Sequence, residues 1–385
     1  MRAVSSPLRH CLRPERMVPG HKLRILFGGG EAYPAMLDAI AAAERSIDLE
    51  TYIWASDAVG RRFARALAEK ARAGVAVRCI VDGAGSHDFD PALWEPLIEA
   101  GVAFEVFHPV GPWRARWGWS VRDHRKLLVV DGRVAFAGGM NLGDEYAPRG
   151  EPWLGGGWAD VHARVEGPVV ADLQRLFNAS FRFAPRSRSL PATIDGGAAP
   201  ADWTARVQAL ALARRKDRTL IQSHYLYAVH MATRSVLIET AYFLPNASWR
   251  RALAAAARRG CDVRVLVPRH SDVPGLRWAS RYSWTSLLRA GVRILEFLPS
   301  MLHAKTVLVD GEWAAIGSYN LDQRSLRYNQ EVALVVVDAG ACAALGERFE
   351  EDARLSSEVD PARWEERRGS ERVREKLFHF FHLWL

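Results

Sequence analysis

The feature that most constrains the fold of this 385-residue chain is an internal duplication. An apolar strand-like run containing a Glu-Thr pair lies at 46–52 and again at 235–242, and each is followed by a helical stretch with paired arginines. Each helical stretch ends at a glycine, the usual residue after a helix C-terminus, and leads into a second strand-like run. A further helix, glycine and strand follow in both halves, at an offset of about 180 to 190 residues. A repeat of this length predicts a duplicated domain rather than the unit of a solenoid.

Alternating strands and helices predict two α/β halves with largely buried sheets, packed about a pseudo-two-fold axis with any shared site at the seam. Hydrophobic residues make up 49% of the chain and charged residues 25%, which is enough apolar material for a sizeable core. A stretch rich in Pro, Gly, Ala and Ser between the halves is typical of a linker. The predicted organisation is an N-terminal tail at 1–21, a first half at 22–184, a linker at 185–204, a second half at 205–360 and a C-terminal amphipathic helix at 361–385.

The charge balance is basic, with 52 lysines and arginines against 44 acidic residues and a formal net charge of +8. Such a surplus favours anionic partners, namely nucleic acid, phosphorylated ligands or acidic lipid. No apolar run approaches the roughly 18 residues of a transmembrane helix, and the N-terminal residues lack the apolar core of a secretory signal. The four cysteines show neither a CxxC pair nor metal-like spacing, so we expect a reducing compartment without disulfides. These features argue against an integral membrane protein.

A pattern of polar and charged residues around a short apolar run occurs once in each half. The two copies are His124-Arg-Lys126-Leu-Leu-Val-Val-Asp131 with Gly138-Gly139-Met-Asn141, and His303-Ala-Lys305-Thr-Val-Leu-Val-Asp310 with Gly317-Ser318-Tyr-Asn320. A single His-x-Lys on a strand is more often a solvated sheet edge than a site. Recurrence of every specified position, in register with an independent domain repeat, favours a functional site.

The spacing of this pattern predicts how the side chains converge. The apolar run indicates a strand, on which residues two apart point to one face, so each histidine and its lysine project together. An Asp-Gly turn and a returning strand then bring the asparagine alongside. Two facing hairpins would surround one small volume with two imidazoles, two ammonium groups and two amides. That set suits phosphodiester chemistry without a metal or other cofactor, since one imidazole can attack phosphorus while the other protonates the leaving alcohol.

The two motifs resemble the paired HxKxxxxD–GSxN signatures of the phospholipase D superfamily, over nearly the whole chain from Lys22 onward. Finer detail is similar to the cardiolipin synthases, and most similar to their short B type, which lacks the N-terminal transmembrane helices of the longer type. The residues that carry this finer similarity are the runs at 138–146 and 317–325 and the sequence Asn329-Gln-Glu331. The resemblance implies two phospholipase D-like α/β/α domains.

Site roles follow from the resemblance residue by residue. It implies that His124 is the nucleophile, forming a phosphohistidine, and that His303 is the general acid and base. It also implies phosphate binding by four side chains with assistance from a serine, namely Lys126, Lys305, Asn141 and Asn320 with Ser318.

In this family an acidic residue downstream of each motif orients its histidine, and the matching positions are Asp160 in the first half and Glu331 in the second. Gly139 stands where the family has a serine in the first motif, so that hydroxyl is missing here. Asp131 and Asp310 complete the two catalytic motifs, and we interpret both as structural anchors.

Two segments fit contact with a lipid surface. Residues 113–119 interleave tryptophan with arginine, which suits the headgroup zone of a bilayer, with a core-packing loop as the alternative. The stretch 371–385 has a charged start and an aromatic end, which fits either an interfacial anchor or a terminal helix docked on the protein. A weaker candidate is the helical stretch from Arg277-Trp278 to Trp284, which would line the lipid entrance.

The sequence therefore predicts a phosphatidyltransferase that lies peripherally on the cytoplasmic side of the cell membrane. As the resemblance implies, it would use two molecules of phosphatidylglycerol to form cardiolipin and glycerol, with no nucleic acid and no obligate protein partner. A phospholipase D-type hydrolase, with water as acceptor, would use the same residues and stays open. A nuclease of the same superfamily would also exploit the positive charge, although the aromatic segments favour lipid. The third alternative is a non-catalytic protein that binds anionic lipid, and the completeness of both motifs argues against it.

Overall fold

Short runs rich in valine, isoleucine and leucine form the strands, most of which are buried because helices cover both faces of their sheet. The computed structural model describes residues 6–88, 90–110, 121–148, 157–181, 200–212 and 217–380. The strands are β1 (Val18–Phe27), β2 (Ser46–Thr51), β3 (Ala76–Asp82), β4 (Ala103–Phe107), β5 (Leu127–Val130), β6 (Val134–Gly138), β7 (Val161–Glu166), β8 (Ala205–Leu212), β9 (Ser235–Thr240), β10 (Asp262–Pro268), β11 (Arg293–Phe297), β12 (Lys305–Val309), β13 (Trp313–Gly317), β14 (Glu331–Val337) and β15 (Ser356–Glu358).

All of these strands belong to one mixed sheet, whose order repeats the sequence duplication. From one edge to the other the order is β4-β3-β2-β5-β6-β7-β1-β8-β14-β13-β12-β9-β10-β11-β15. The three strands β2, β3 and β4 are parallel, as are β9, β10 and β11, and the hairpin strands beside them are antiparallel. The equivalent strands β1 and β8 pair antiparallel at the centre, as a two-fold relation between halves requires. The predicted α/β class and the duplication are both confirmed, with the halves joined through a continuous sheet.

Helices cover this sheet in two layers. Their bounds are α1 (Gly28–Ala41), α2 (Ala58–Arg72), α3 (Pro91–Glu99), α4 (Val169–Ser180), α5 (Leu220–Met231), α6 (Ala247–Arg258), α7 (Pro274–Leu288), α8 (Gln323–Arg327), α9 (Ala339–Arg354), α10 (Pro361–Glu365) and α11 (Gly369–Phe380). Helices α4 and α9 contribute to one apolar cluster that both halves share, whereas α1–α3 and α5–α7 cover the opposite face of their own halves. Strand β5 shows the alternation, since Leu127 and Val129 join the shared cluster while Leu128 and Val130 join the first-half cluster.

The N-terminal residues differ from the predicted tail. Strand β1 begins at Val18, ahead of the boundary predicted at residue 22, and it continues through Pro19 and Gly20, where Gly20 has φ of 89°. Residues 6–17 pack on the second half, where Cys11 and Met17 belong to its core cluster. Arg9 donates to Asp310 Oδ2 at 3.2 Å. The segment before β1 is therefore part of the packed structure. Residues 182–199 of the predicted linker, and the aromatic segment 113–119, lie outside the described residues.

The C-terminal stretch forms α10 and α11, which dock on α7. Arg281 Nε donates to Glu375 Oε1 at 2.9 Å, and the Trp284 ring of α7 stacks on Trp364 of α10 with centroids 5.4 Å apart. Of the two alternatives for this stretch, the structure shows the terminal helix docked on the protein, as far as residue 380. Residues 381–385 lie outside the described residues. None of the helices described combines the length and apolarity needed to cross a bilayer.

Candidate active site

The two motifs lie on corresponding hairpins, β5–β6 in the first half and β12–β13 in the second. The residues before each hairpin reach across the seam, because His124 N–H donates to Gln330 O at 3.0 Å and His303 N–H donates to Ala159 O at 2.6 Å. One cavity of about 340 Å³ is shared by both hairpins. The predicted site residues that line this cavity are His124, His303, Asn141 and Asn320.

The imidazole of His124 is held by a carboxylate of the second half. Its Nδ1 lies 3.1 Å from each carboxylate oxygen of Glu331. That carboxylate is itself fixed, since Ser318 Oγ donates to Oε2 and Asn329 Nδ2 donates to Oε1 at 3.2 Å. Ser318 therefore acts on the carboxylate behind His124 and is not part of the cavity lining.

The imidazole of His303 is held by a carboxylate of the first half. Its Nδ1 lies 2.7 Å from Asp160 Oδ2, 2.8 Å from Lys305 Nζ and 3.3 Å from Tyr146 Oη. The carboxylate occupies the space beside Gly139, where an added Cβ would overlap Asp160 Oδ1. The missing serine of the first motif is thus explained by the position of the aspartate.

These pairings correct the sequence-based expectation that each acidic residue orients the histidine of its own half. The structure exchanges them, with Glu331 on His124 and Asp160 on His303. The physical reason is the bridging at the seam, where the residues just before β5 and β12 pair with the residues just before β14 and β7 of the other half.

The protonation of the two rings follows from their burial and partners. Burial lowers the pKa of His124, and the Glu331 carboxylate opposes this shift only in part. Burial, followed by the nearby ammonium of Lys305, lowers the pKa of His303, while burial raises the pKa of Asp160 to about 6. Because Nδ1 of His124 faces a carboxylate, its proton resides there and Nε2 keeps a lone pair. Among the described residues, none hydrogen-bonds to Nε2 of either ring.

The two lysines are buried beside their own histidines. Lys126 Nζ donates to His124 O at 2.7 Å, and Lys305 Nζ donates to His303 O. Burial lowers the pKa of Lys126 to about 7 and that of Lys305 to about 8. Each ammonium has three N–H donors, so donors remain available to an anion in the cavity.

The two asparagines differ in their partners. Asn141 Nδ2 donates to Tyr146 Oη at 2.9 Å, and its Oδ1 accepts from Ile53 N–H at 3.2 Å. The buried Oδ1 of Asn320 has no hydrogen-bond partner in the described part of the chain. The side-chain oxygen of Asn320 thus lacks the hydrogen bond that the side-chain oxygen of Asn141 makes.

Asp131 and Asp310 lie away from the cavity, at the hairpin turns, where both have φ of 55°. Asp131 accepts from the backbone N–H groups of residues 44–46 at 2.7–2.9 Å. Asp310 accepts from those of 233–235, and although burial opposes ionisation, these N–H groups hold its pKa at about 2. Each aspartate fastens its hairpin to the start of β2 or β9, in keeping with the interpretation as anchors.

Several residues that line the cavity were not singled out from the sequence. Tyr52 and Tyr242 make edge contacts with the rings of the two motif histidines, and their matching places in the two repeats were the available signal. Tyr146 and Trp158 pack on His303 and have no equivalent in the other half, so nothing in the repeat pointed to them. The charged residues missed are Arg122, Asp272, Asp322 and Arg324.

Metal ligation has no cluster to support it in the described ranges, where no three His, Cys, Asp or Glu side chains could hold an ion together. The cavity instead presents imidazoles, amides and aromatic rings, backed by two buried lysines and two carboxylates. Such a set can bind a phosphodiester and pass its phosphoryl group through a histidine.

Comparison with other proteins identifies the family of this chain. The sequence profile described as "Cardiolipin synthase, PLD-like domain" matches residues 36–148 and 225–353. Cardiolipin synthase A of Yersinia pseudotuberculosis serotype O:1b (strain IP 31758) is 34% identical over 98% of this chain and 79% of its own length. The corresponding values are 36%, 88% and 70% for cardiolipin synthase A of Pseudomonas fluorescens, and 32%, 93% and 71% for the probable cardiolipin synthase YwiE of Bacillus subtilis.

Solved structures show the same fold at low sequence identity. Phosphatidylserine synthase of Haemophilus influenzae has a TM-score of 0.71 at 13% identity, covering 96% of this chain and 94% of that one. Polyphosphate kinase of Porphyromonas gingivalis has a TM-score of 0.58 at 16% identity, covering 89% and 49%. The similarity to the short B type stays a prediction, since the relatives above carry other names. The profile match and the sequence identity over most of the chain establish that the chain belongs to the cardiolipin synthase family of phospholipase D-like proteins.

Proposed function

We propose that this enzyme transfers a phosphatidyl group from one phosphatidylglycerol to a hydroxyl of a second, releasing glycerol and forming cardiolipin. The observation that carries the proposal is the pair of carboxylate-backed imidazoles that line one cavity together with two amides. Two imidazoles around one phosphorus suit a double displacement, in which one ring holds the transferred group while the other moves protons.

In the first step, His124 Nε2 attacks the phosphorus of the bound lipid. The P–N bond forms as the bond from phosphorus to the glycerol headgroup oxygen breaks, and His303 donates a proton to that oxygen. The proton that His124 keeps on Nδ1 is stabilised by Glu331, at 3.1 Å. Charge on the phosphoryl oxygens is balanced by the lysine ammonium groups and the asparagine amides.

The assignment of roles draws support from the surroundings of the two Nδ1 atoms. The Nδ1 of His124 faces only the Glu331 carboxylate among the described polar groups, which supports Nε2 as the attacking atom. As a general acid His303 must start as an imidazolium with a proton on each ring nitrogen. The Asp160 carboxylate, 2.7 Å from Nδ1, stabilises that form, and the proton on Nε2 is the one that is donated.

In the second step, a hydroxyl of the acceptor lipid replaces the departed glycerol. His303 now removes the proton of that hydroxyl, the new P–O bond forms, and the P–N bond to His124 breaks. Water would complete the same step as hydrolysis, so the outcome depends on the exclusion of water. The aromatic side chains of Tyr52, Tyr146 and Trp158 around the cavity favour a lipid acceptor over water.

Both substrates are lipids, which places the enzyme at a membrane surface. The net charge of +8 favours an anionic leaflet, and the cytoplasmic leaflet is the one rich in such lipids. The proposed location is therefore peripheral, on the cytoplasmic side of the cell membrane.

The test is incubation of the purified chain with phosphatidylglycerol vesicles, followed by mass spectrometry of the products. Cardiolipin and glycerol are expected. Phosphatidic acid without cardiolipin would show a hydrolase, and cleavage of a labelled oligonucleotide without lipid turnover would show a nuclease.

Trapping with phosphatidyl-labelled lipid, quenched by denaturant at alkaline pH, tests the intermediate. The wild type is expected to retain label that later acid treatment releases, and His124→Ala to retain none, whereas His87→Ala, which alters an exposed histidine, is the matched control. Label on the His124→Ala enzyme would refute the assignment of the nucleophile.

A further inference from the structure

Helix α11 presents three of its apolar residues to solvent and the Glu375 carboxylate to the protein. Glu375, on the side facing α7, is 2% exposed, whereas Val373, Leu377 and Phe380 are 68%, 56% and 78% exposed. The i, i+4, i+7 spacing of these three places them on one side of the helix, and we call them the α11 stripe. An apolar stripe on the outer side of a docked helix indicates a surface that another apolar phase covers.

Charge pairs hold α11 in this orientation. Glu375 Oε1 accepts from Arg281 Nε at 2.9 Å, and Oε2 accepts from Arg367 Nη2 at 3.1 Å. The Arg281 guanidinium also lies over the Trp364 ring, 4.5 Å from its centroid. A buried carboxylate that loses its charged partners costs a large free energy, so these contacts fix the rotation of the helix about its axis. The α11 stripe is therefore held outward by the structure.

Cations border the stripe on both sides. At 100° per residue, Arg372 and Lys376 fall on one side of the stripe and Arg374 on the other, and all three are exposed. An apolar centre with a cationic rim is complementary to an anionic bilayer, where apolar side chains enter the acyl boundary and cations meet phosphates. A second copy of the chain fits less well, since a two-fold contact would bring like-charged rims together.

The inward side of α11 lies close to the mouth of the candidate active site. Phe378 of α11 packs against the apolar cluster of Leu244, Leu276 and Ala279. Leu276 also lines the cavity, together with Val273 just before α7. Helix α11 and the cavity of the candidate active site therefore share an apolar contact at the first turn of α7.

We propose that the outward face of α11 seats the enzyme on an anionic bilayer, with the α11 stripe in the headgroup–acyl boundary and the three cations at lipid phosphates. This inference rests on the proposed function only in taking a phospholipid as the substrate class.

The test measures sedimentation of the full chain with vesicles of equal parts phosphatidylglycerol and phosphatidylcholine, and with phosphatidylcholine alone. The double variant Val373→Ser/Leu377→Ser is expected to lower the partition constant on mixed vesicles by about tenfold. Ile98→Ser on α3, which removes a side chain that is 48% exposed, is the matched control and should bind as the wild type does. Lys376→Glu is expected to weaken binding to mixed vesicles by about tenfold and to leave phosphatidylcholine binding unchanged.

Unchanged binding of both α11 variants would overturn the proposal. The proposal would also be overturned if the wild type does not sediment with vesicles and is a dimer in light scattering that the double variant converts to a monomer. The stripe would then join two copies of the chain. Turnover of short-chain phosphatidylglycerol in detergent micelles is measured separately. Absence of cardiolipin there would refute the proposed function, while loss of vesicle binding with turnover retained would support the seating role alone.

Discussion

At the scale of single residues, the surroundings of His124 and His303 differ because one pair of residues behind each ring differs. Behind His124 stand Ser318 and Glu331, and the serine hydroxyl donates to the glutamate. Behind His303, the shorter Asp160 must come closer to the backbone to reach the ring, and it occupies the space of a side chain at 139. The aspartate at 160 therefore requires a glycine at 139.

We expect Gly139→Ser to displace the Asp160 carboxylate from His303 and to lower the rate of cardiolipin formation by about 100-fold, since general acid catalysis is lost. The double variant Gly139→Ser/Asp160→Glu copies the arrangement of the second half and should recover part of that rate. Initial rates on phosphatidylglycerol measure both effects. A single variant as active as the wild type would contradict the steric account of Gly139.

The buried lysines make anion binding depend on pH. The pKa of Lys126 is lowered by burial to about 7 and that of Lys305 to about 8, so both are largely neutral in the empty site above pH 8. A bound anion favours their charged forms, so binding takes up protons above these pKa values and weakens as pH rises. Calorimetry of sulfate binding near pH 9, in two buffers of different ionisation enthalpy, should show this uptake. Equal uptake by the wild type and by Lys126→Met would exclude the lysine as its source.

At the scale of elements, each hairpin that carries a motif is positioned from its far end. Asp131 and Asp310, whose backbone is in the left-handed conformation, accept hydrogen bonds from backbone N–H groups at the start of the neighbouring strand. These bonds set the register of β5 on β2 and of β12 on β9. The Asp-Gly pairs predicted these turns from the sequence, because glycine follows an aspartate that tolerates positive φ. The partners of the aspartates, far away in the chain, were beyond that local signal.

Asp310→Asn should lower the free energy of unfolding by about 3 kcal/mol at pH 7, because charge-assisted hydrogen bonds to three backbone N–H groups are lost. The pKa of Asp310 is lowered from 3.8 to about 2, so its contribution is complete above pH 4 and disappears as the pH falls toward 2. Urea unfolding across this range measures the difference. Asp131→Asn, at a half-exposed turn, should have a smaller effect, and the reverse order would contradict the role of burial.

At the scale of the whole molecule, the active site belongs to neither half alone. The carboxylate of each pair comes from the half opposite its histidine, and the N-terminal segment packs on the second half before the chain enters the first. The shared apolar cluster beneath α4 and α9 holds the two halves in this relation. Each pair of histidine and carboxylate is therefore formed by both halves together.

Exchange of the carboxylates predicts which step each variant affects. Glu331→Gln, in the second half, should slow formation of the phosphoenzyme on His124 by about 100-fold, because the imidazolium-like nitrogen loses its counter-charge. Asp160→Asn, in the first half, should alter proton transfer by His303 and shift the pH dependence of glycerol release. Quench-flow measurement of both steps checks the assignment, and the opposite pattern would contradict the exchanged pairing.

The amino-acid sequence by itself determined the α/β class, the duplication and the set of motif residues. These follow from strand periodicity, glycine helix ends and a pattern repeated within a few residues, all of which are local. Only the tertiary structure decided which carboxylate pairs with which histidine, across sequence separations of 207 and 143 residues. It also decided that Tyr146 and Trp158 pack against the ring of His303. It also decided that α11 turns its apolar side outward. Such pairings depend on how two similar surfaces meet at the seam, and the free energy of that contact is spread over the whole interface rather than written in any short segment.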